Sequence, residues 1–208
     1  MYGKFITFEG TDGSGKTSII KEVERYLKIQ GYNVVTTREP GGVAISEQVR
    51  NVIHDVNNTE MDPLCEAFLY AASRRQHLVQ KVMPLLKEGI IVICDRYVDS
   101  SLAYQGYARG IGIEKVKEIN EYAIDGIYPD LTIFLDVSPK LGIERIMSNQ
   151  KNHELNRLDK ESINFHEKTH EGYLELVKMF PDRIKRVDGE RSIKEVSFDC
   201  FQLIKGIL

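Results

Sequence analysis

Short apolar runs separated by longer amphipathic stretches make up most of the chain. Five runs rich in Val, Ile, Leu and Phe predict β-strands, at residues 4–8, 33–37, 90–94, 131–135 and 184–188. Most of them are continuously apolar, which is typical of strands that helices cover on both faces. Because strands and helices alternate, we expect a three-layer α/β fold in which helices flank a parallel five-stranded sheet.

Several predicted helices between these strands begin at recognisable capping residues. Asp62 and Ser138 each precede a proline, so both predict a helix with an N-cap and a proline in the first turn. Ser192 and Glu195 have the spacing of a capping box, which predicts the start of the last helix. We expect the first helix over residues 18–30.

One segment departs from the alternation of apolar elements. Residues 148–160, SNQKNHELNRLDK, are polar and charged and lie between two predicted helices. This composition fits a solvated surface loop, and it also fits a mobile lid over a binding site. We keep both interpretations open and expect one domain over residues 1–208 that includes this small segment.

The composition narrows the class of protein. The chain has 208 residues, of which 42% are hydrophobic and 28% charged, as in ordinary globular domains. The net charge of −3 provides no overall positive field for nucleic acid. Three scattered cysteines without a CxxC pair predict reduced thiols, and the start MYGKFITFEG predicts neither a signal peptide nor a membrane span. We expect a cytoplasmic protein that binds neither nucleic acid nor membrane.

Residues 10–17, GTDGSGKT, match the phosphate-loop pattern GxxxxGK[ST] between a predicted strand and a predicted helix. Glycines let the backbone approach phosphate closely, and the N–H groups at the helix start point at its oxygens. Lys16 supplies a positive charge for the β- and γ-phosphates, and the Thr17 hydroxyl suits Mg²⁺. We expect a nucleoside triphosphate site made of Gly10, Thr11, Asp12, Gly13, Ser14, Gly15, Lys16 and Thr17.

The third apolar run leads directly into Asp95 and Arg96. A carboxylate at the end of such a strand is placed to hold Mg²⁺, and the planar fork of an arginine matches a phosphate group. A motor ATPase would more often have Glu after the Asp, and a GTPase would carry an NKxD motif, which this sequence lacks. The motifs therefore favour phosphoryl transfer to an acceptor over hydrolysis.

Basic, aromatic and hydroxyl side chains follow the predicted strand ends, where ligands bind in doubly wound sheets. Tyr70 and Arg74 lie four residues apart and share one helix face. The stretch 99–106, DSSLAYQG, adds groups that hydrogen-bond to a base or stack on it. Each of these residues, taken alone, also fits ordinary packing, so only their joint placement indicates a site.

The motifs FEGTDGSGKTS, TREPGG, AASRRQH, CDRYVDSSLAYQG and the RLD…F…GY run at 157–173 occur in the order found in bacterial thymidylate kinases. The chain resembles this family, part of the P-loop nucleoside monophosphate kinases, over nearly its whole length. The resemblance implies a P-loop NTPase fold with a small mobile lid, and transfer of phosphate from Mg-ATP to dTMP for dTTP synthesis. It also implies Mg²⁺ as cofactor and a homodimer.

The resemblance further implies roles for individual residues. The catalytic residues would be Lys16, Arg96, Asp12 and Arg157, and Mg²⁺ would be held near Thr17 and Asp95. The dTMP site would comprise Asp12, Arg38, Arg50, Tyr70, Arg74, Arg96, Ser101, Tyr104 and Gln105. Gly13 and Ser14 stand where some relatives have a loop arginine, so the lid would supply that charge through Arg157, with help from Arg145 or Lys151.

Within the implied dTMP site the residues fall into three groups. Tyr70, often phenylalanine in this family, would stack on thymine, while Arg74, Ser101 and Gln105 would contact or support the base. Arg38, Arg50 and Arg96 would surround the acceptor phosphate. Asp12 would reach the 3′-hydroxyl, and Tyr104 would fill the space that a ribose 2′-hydroxyl needs.

Residues 166–170, HEKTH, form an HExxH pattern that on a helix can bind zinc, with Glu167 as a base and Glu190 as a further ligand. Their position in a charged helix favours surface histidines instead. The phosphate loop itself is compatible with two more functions: a kinase for another deoxynucleoside monophosphate, and a nucleotide-dependent switch without catalysis.

Overall fold

The structure, a computed structural model, describes residues 2–148 and 157–208. One parallel sheet holds the strands β1 (Phe5–Glu9), β2 (Val34–Arg38), β3 (Ile91–Asp95), β4 (Leu131–Asp136) and β5 (Ile184–Asp188). Their order across the sheet is β2-β3-β1-β4-β5. The predicted five-stranded parallel α/β fold is confirmed, and every strand begins within one residue of the predicted position.

Helices connect these strands in the described part of the chain. They are α1 (Lys16–Ile29), α2 (Ala44–His54), α3 (Pro63–His77), α4 (Met83–Lys87), α5 (Val98–Ser101), α6 (Ile113–Ile124), α7 (Pro139–Ser148), α8 (Ile163–Met179) and α9 (Ile193–Lys205). π-Helical turns at Leu78–Val82 and Leu102–Ala108 continue α3 and α5, and Arg157–Lys160 forms a 3₁₀ turn. Helix α1 begins two residues earlier than predicted, because Lys16 and Thr17 are already helical.

The predicted helix starts are confirmed where capping contacts are described. Asp62 accepts hydrogen bonds from the backbone N–H groups of Leu64 (2.9 Å) and Cys65 (3.0 Å). Ser192 and Glu195 form the reciprocal capping box at the start of α9. Helix α7 begins at Pro139. These caps fix where each helix leaves the sheet.

The two faces of the sheet bury different side chains. Ile6 and Phe8 point to the face covered by α1 and α9, while Phe5 packs on the opposite face with the helical layer that follows α3. On that same side Phe134 of β4 stacks against Tyr173 of α8, with ring centroids 5.0 Å apart. Both faces are covered, which explains the continuously apolar strands. None of the described helices has the length and apolar character needed to cross a bilayer.

The segment 148–160, one interpretation of which was a lid, is described only at its two ends. The described part of α7 reaches Ser148, and the described residues begin again at Arg157. Lys151, a candidate helper for Arg157, lies outside the described residues. The prediction of a lid therefore stays a prediction.

Candidate active site

The carboxyl ends of β1 and β3 and the start of α1 border a cavity of about 700 Å³. The predicted site residues in its wall are Asp12, Gly13, Ser14, Gly15, Lys16, Thr17, Arg38, Arg50, Tyr70, Asp95, Arg96, Ser101, Tyr104 and Gln105. Gly10 and Thr11 lie just behind them in the phosphate loop. The fold therefore brings residues from six separate stretches of sequence to one cavity.

The phosphate loop wraps tightly around the Lys16 ammonium group. Its Nζ donates hydrogen bonds to the carbonyls of Gly10 (3.0 Å) and Thr11 (3.1 Å) and to Ser14 Oγ (3.2 Å). Burial and the positive charge of Arg96 lower the pKa of Lys16 to about 8. A polyphosphate in the cavity would supply the negative charge that favours the ammonium form.

Gly13 is required by the packing of this loop. Its backbone has a φ of +76°, and an added Cβ would lie 2.1 Å from the carbonyl oxygen of Gly142 in α7. Both the left-handed conformation and the contact with α7 exclude a side chain at this position. The loop is thus held against α7 by backbone alone.

Thr17 and Asp95 form the part of the wall that suits a divalent cation. Thr17 Oγ1 donates a hydrogen bond to Asp95 Oδ2 at 3.4 Å. A hydroxyl and a carboxylate at this separation are the hard oxygen donors that Mg²⁺ takes alongside phosphate oxygens and water. The residues described include no cluster of three His, Cys, Asp or Glu placed to hold a metal, so phosphates and water would complete the coordination.

Arg96 is the most extensively bonded cation in the cavity wall. Its Nη2 donates to Asp12 Oδ1 at 2.7 Å and to Tyr104 Oη at 3.2 Å, and its Nη1 donates to Ser100 Oγ at 3.1 Å and Tyr173 Oη at 3.2 Å. The residue has a φ of +70°, which is uncommon for a side chain that carries a Cβ. Such strained backbone is often retained at functional sites.

Asp12 is held as a carboxylate by these contacts. Burial alone would raise its pKa, but Arg96 and then Lys16 outweigh burial and lower the pKa of Asp12 to about 2. Tyr104 donates a second hydrogen bond to its Oδ2 at 3.1 Å. The negative charge of Asp12 within the phosphate loop is thus neutralised by Arg96, and its predicted contact with a sugar hydroxyl stays a prediction.

Glu9, at the end of β1, is a site residue that the sequence analysis missed. Its Oε2 accepts hydrogen bonds from Ser100 Oγ (2.5 Å) and Tyr173 Oη (2.9 Å). Arg96 can only donate, so both hydroxyls accept from Arg96 and give their own hydrogens to Glu9. Burial raises the pKa of Glu9 to about 7. The buried carboxyl therefore orients the arginine from behind.

Arg38 and Arg50 form the cationic wall next to the TREPGG stretch. Arg38 Nη1 and Arg50 Nη1 donate to the same carbonyl, that of Pro40, at 2.9 and 3.1 Å. Arg38 also pairs with Glu47 of α2. Burial and the neighbouring Arg38 lower the pKa of Arg50 below its ordinary value. Two convergent guanidinium groups suit an anionic ligand, and their predicted contact with an acceptor phosphate stays a prediction.

Arg74 lies behind the cavity wall and is not part of it. Its guanidinium is buried, with Nε donating to Glu39 at 2.8 Å, Nη1 to Ser101 Oγ at 3.0 Å and to Asn120, and Nη2 to the Tyr97 carbonyl at 2.9 Å. In this geometry Arg74 supports Ser101, which does line the cavity. Its predicted direct contact with a base edge stays a prediction.

Arg157, predicted to act on the phosphates, is directed elsewhere in this structure. The side chain is buried, its Nε donates to the carbonyl of Ile53 at 3.1 Å, and its Nη2 pairs with Glu66. It does not line the cavity, whereas Arg145 does. The contact with Glu66 spans 91 residues of sequence and carries no local signal.

The HEKTH stretch lies on α8 and does not assemble a zinc site among the described residues. His170 Nε2 lies 2.6 Å from Asp136 Oδ1, and Asp136 also pairs with Arg186. Glu190 accepts a hydrogen bond from the backbone N–H of Ser138 at 3.0 Å. His170 and Glu190 are thus engaged with other partners. His166 is buried, so the expectation that these histidines lie at the surface is wrong for this residue.

Comparison with known proteins agrees with this geometry. A family model described as thymidylate kinase matches residues 8–199. The thymidylate kinase of Clostridium novyi (strain NT) is 53% identical over 206 residues, covering 99% of this chain and 98% of the relative. That of Geobacillus sp. (strain WCH70) is 54% identical over 196 residues, covering 94% and 93%. The crystal structure of thymidylate kinase from Ehrlichia chaffeensis matches with a TM-score of 0.77 at 33% identity, covering 99% of both chains. The chain therefore belongs to the thymidylate kinase family.

Proposed function

We propose that the protein phosphorylates dTMP to dTDP with ATP as phosphoryl donor, a step towards dTTP. The observation that carries this proposal is that Lys16, Arg96 and Tyr70 line one cavity in the described part of the chain. Hydrolysis of ATP would need no binding site for a second nucleotide. Arg38, Arg50 and Tyr70 in the same cavity wall suit the phosphate and the base of an acceptor nucleotide.

The acceptor needs no general base from the protein. The second pKa of a phosphomonoester is near 6, so at neutral pH its oxygen is already an anionic nucleophile. The chain must hold two mutually repelling anions in line and neutralise the migrating charge. Lys16 binds the donor phosphates, and Arg96, oriented by Asp12 and Glu9, bridges donor and acceptor.

Thr17 and Asp95 would hold Mg²⁺, which neutralises phosphate charge when it is bound. Arg38 and Arg50 would bind the acceptor phosphate, Tyr70 would stack on the thymine ring, and Tyr104 would close the space beside the sugar. A catalytic role for Arg157 would require its guanidinium to leave Glu66.

We also propose that the protein works as a homodimer in the cytoplasm. Both statements rest on membership of the thymidylate kinase family. Sedimentation analysis at micromolar concentration would test the dimer directly.

The test of the proposed function is ADP release from Mg-ATP, measured with dTMP, dUMP, dCMP, AMP and GMP in parallel. We expect dTMP to be the best acceptor and dUMP the next, because one methyl group contributes about 1 kcal/mol to binding. A higher kcat/KM with AMP or GMP would reject the substrate assignment. ATP binding without turnover for every acceptor would favour the nucleotide switch.

A further inference from the structure

A second charge cluster lies behind the base end of the cavity, centred on the buried Glu66 of α3. Its Oε1 accepts a hydrogen bond from Gln105 Nε2 at 2.7 Å. Its Oε2 pairs with Arg109 Nη2 at 3.2 Å and with Arg157 Nη2. Glu66 does not itself line the cavity, but Gln105 does. The cluster therefore connects to the ligand site through one carboxamide.

Glu66 is ionised at neutral pH. Burial would raise its pKa, but the charge of Arg109, together with hydrogen bonds from Arg157 and Gln105, outweighs burial, and the pKa of Glu66 is lowered. An ionised carboxylate only accepts hydrogen bonds. Gln105 must therefore turn its NH₂ group towards Glu66.

This orientation fixes what Gln105 offers to the cavity. A carboxamide has one donor end and one acceptor end, and the donor end is taken. Among the described residues no hydrogen bond involves its Oε1, so the acceptor end is left for a ligand. The neighbouring Ser101 Oγ accepts from Arg74, which can only donate, so the Ser101 hydroxyl hydrogen is left to donate.

The resulting pair, a donor from Ser101 beside an acceptor from Gln105, has a definite polarity. Thymine and uracil present the complementary pair, a carbonyl O4 beside an N3–H group. Cytosine presents the opposite pair, an amino group beside an unprotonated N3. A site that hydrogen-bonds to a base in this way strongly rejects the opposite pattern, because its buried polar groups are left unpaired.

We propose that Glu66 is a positioning residue that sets base selectivity: by holding Gln105 with its amide oxygen towards the cavity, it selects a pyrimidine with N–H at position 3 over cytosine. This inference rests on the proposed function. It assigns Arg109 and Arg157 the role of keeping Glu66 charged.

Two substitutions of Glu66 remove, in different ways, the constraint on the orientation of the Gln105 carboxamide. In Glu66→Gln the new amide can turn its own NH₂ group to Gln105, which then accepts and presents its NH₂ to the cavity. Glu66→Asp keeps the charge that Arg109 and Arg157 need but withdraws the carboxylate by one methylene, so it serves where Glu66→Gln does not fold. Glu161→Gln is the matched control, because Glu161 pairs with Arg109 at 2.7 Å as a second carboxylate of the cluster.

The readout is kcat/KM for dTMP and for dCMP, measured with Mg-ATP and accompanied by thermal unfolding of each variant. In Glu66→Gln we expect the dTMP:dCMP ratio to fall at least ~10-fold and kcat/KM for dCMP to rise in absolute terms. The Glu161→Gln control should keep the wild-type ratio. A purely structural role for Glu66 would lower both activities together and leave the ratio unchanged.

Folded Glu66 variants that keep the wild-type ratio would overturn the inference, and so would an equal loss of selectivity in Glu161→Gln. A wild-type protein that does not phosphorylate dTMP would be a different failure. It would reject the proposed function and this inference with it, before any variant is made.

Discussion

The backbone conformation of Arg96 allows two effects to be separated, the proposed catalytic role of its charge and the conformational strain of the residue. With a φ of +70° the residue occupies the left-handed region, which costs a residue with a Cβ about 1–2 kcal/mol and costs glycine almost nothing. We consider the pair Arg96→Ala and Arg96→Gly. Both remove the guanidinium and its contacts with Asp12, Ser100, Tyr104 and Tyr173, and only the glycine variant removes the strain.

The two substitutions are expected to lose the same activity. An arginine that neutralises a migrating phosphoryl group contributes roughly 10³–10⁵ in rate, or about 4–7 kcal/mol. We expect the rate of the transfer step to fall at least ~10³-fold in both variants. Neighbouring cations such as Lys16 and Arg50 are bound to other groups and do not replace the guanidinium of Arg96.

The same pair is expected to differ in stability. Relief of about 1–2 kcal/mol of strain favours glycine, and the greater freedom of glycine in the unfolded chain offsets about 0.4–1 kcal/mol of that gain. The remaining difference lies between about 0 and 1.6 kcal/mol, with a midpoint near 0.8 kcal/mol, or roughly 2–3 °C in Tm for a chain of this size.

Single-turnover transfer from ATP to dTMP measures the first quantity, and urea unfolding of the two variants measures the second. A loss of only a few-fold in single-turnover transfer would remove Arg96 from the reaction. If the alanine variant is more stable than the glycine variant, the assigned strain is absent. Because the two variants share every lost contact, no difference in hydrogen bonding can mimic this comparison.

Three further predictions concern other parts of the site and its support. Burial and Arg96 lower the pKa of Lys16 to about 8, so the ammonium group loses its proton as the pH rises through that value. We therefore expect kcat/KM for ATP, measured over a pH series, to fall above about pH 8. A flat profile to pH 10 would contradict this. Asp95→Asn should raise the Mg²⁺ concentration for half-maximal rate at least ~10-fold, as a metal titration would show; an unchanged titration would place the ion elsewhere. Asp62→Ala removes the α3 N-cap and should lower the free energy of unfolding by about 1 kcal/mol in urea, while kcat stays near wild type; a large loss of kcat would implicate α3 more directly in catalysis.

The fold was predictable because its signals are local. Three of the five strands, β1, β3 and β4, are mostly apolar runs that helices cover on both faces, so burial and β-propensity agree along most of their length. The phosphate loop was equally visible, since its glycines, lysine and threonine lie within eight residues. Strand ends of a parallel sheet meet at one edge, which explains why candidates from distant motifs converge on one cavity.

The carboxylates in and behind the cavity wall could not be predicted in the same way. Glu9 meets Tyr173 across 164 residues, Glu66 meets Gln105 across 39, and Glu39 meets Arg74 across 35. A buried carboxylate is identified by its partners, and no spacing rule connects partners so far apart. Glu9 itself carries a weak local signal, because it is a charged residue between the predicted apolar run at residues 4–8 and the phosphate loop.

Buried charged side chains behind the cavity explain why neutral groups in its wall have a fixed hydrogen-bond direction. A hydroxyl or carboxamide can donate or accept, so Ser100, Ser101 and Gln105 would be ambiguous if they faced only one another. Two of them instead touch a buried ion with a single capability: Ser101 accepts from Arg74, and Gln105 donates to Glu66. The ambiguity is removed one layer behind the ligand, where no substrate competes for the contact. It follows that replacing a charged residue of that layer by a neutral residue of similar size should change substrate selectivity more than it changes the stability of the fold. The ratio of kcat/KM for dTMP to that for dCMP measures this selectivity.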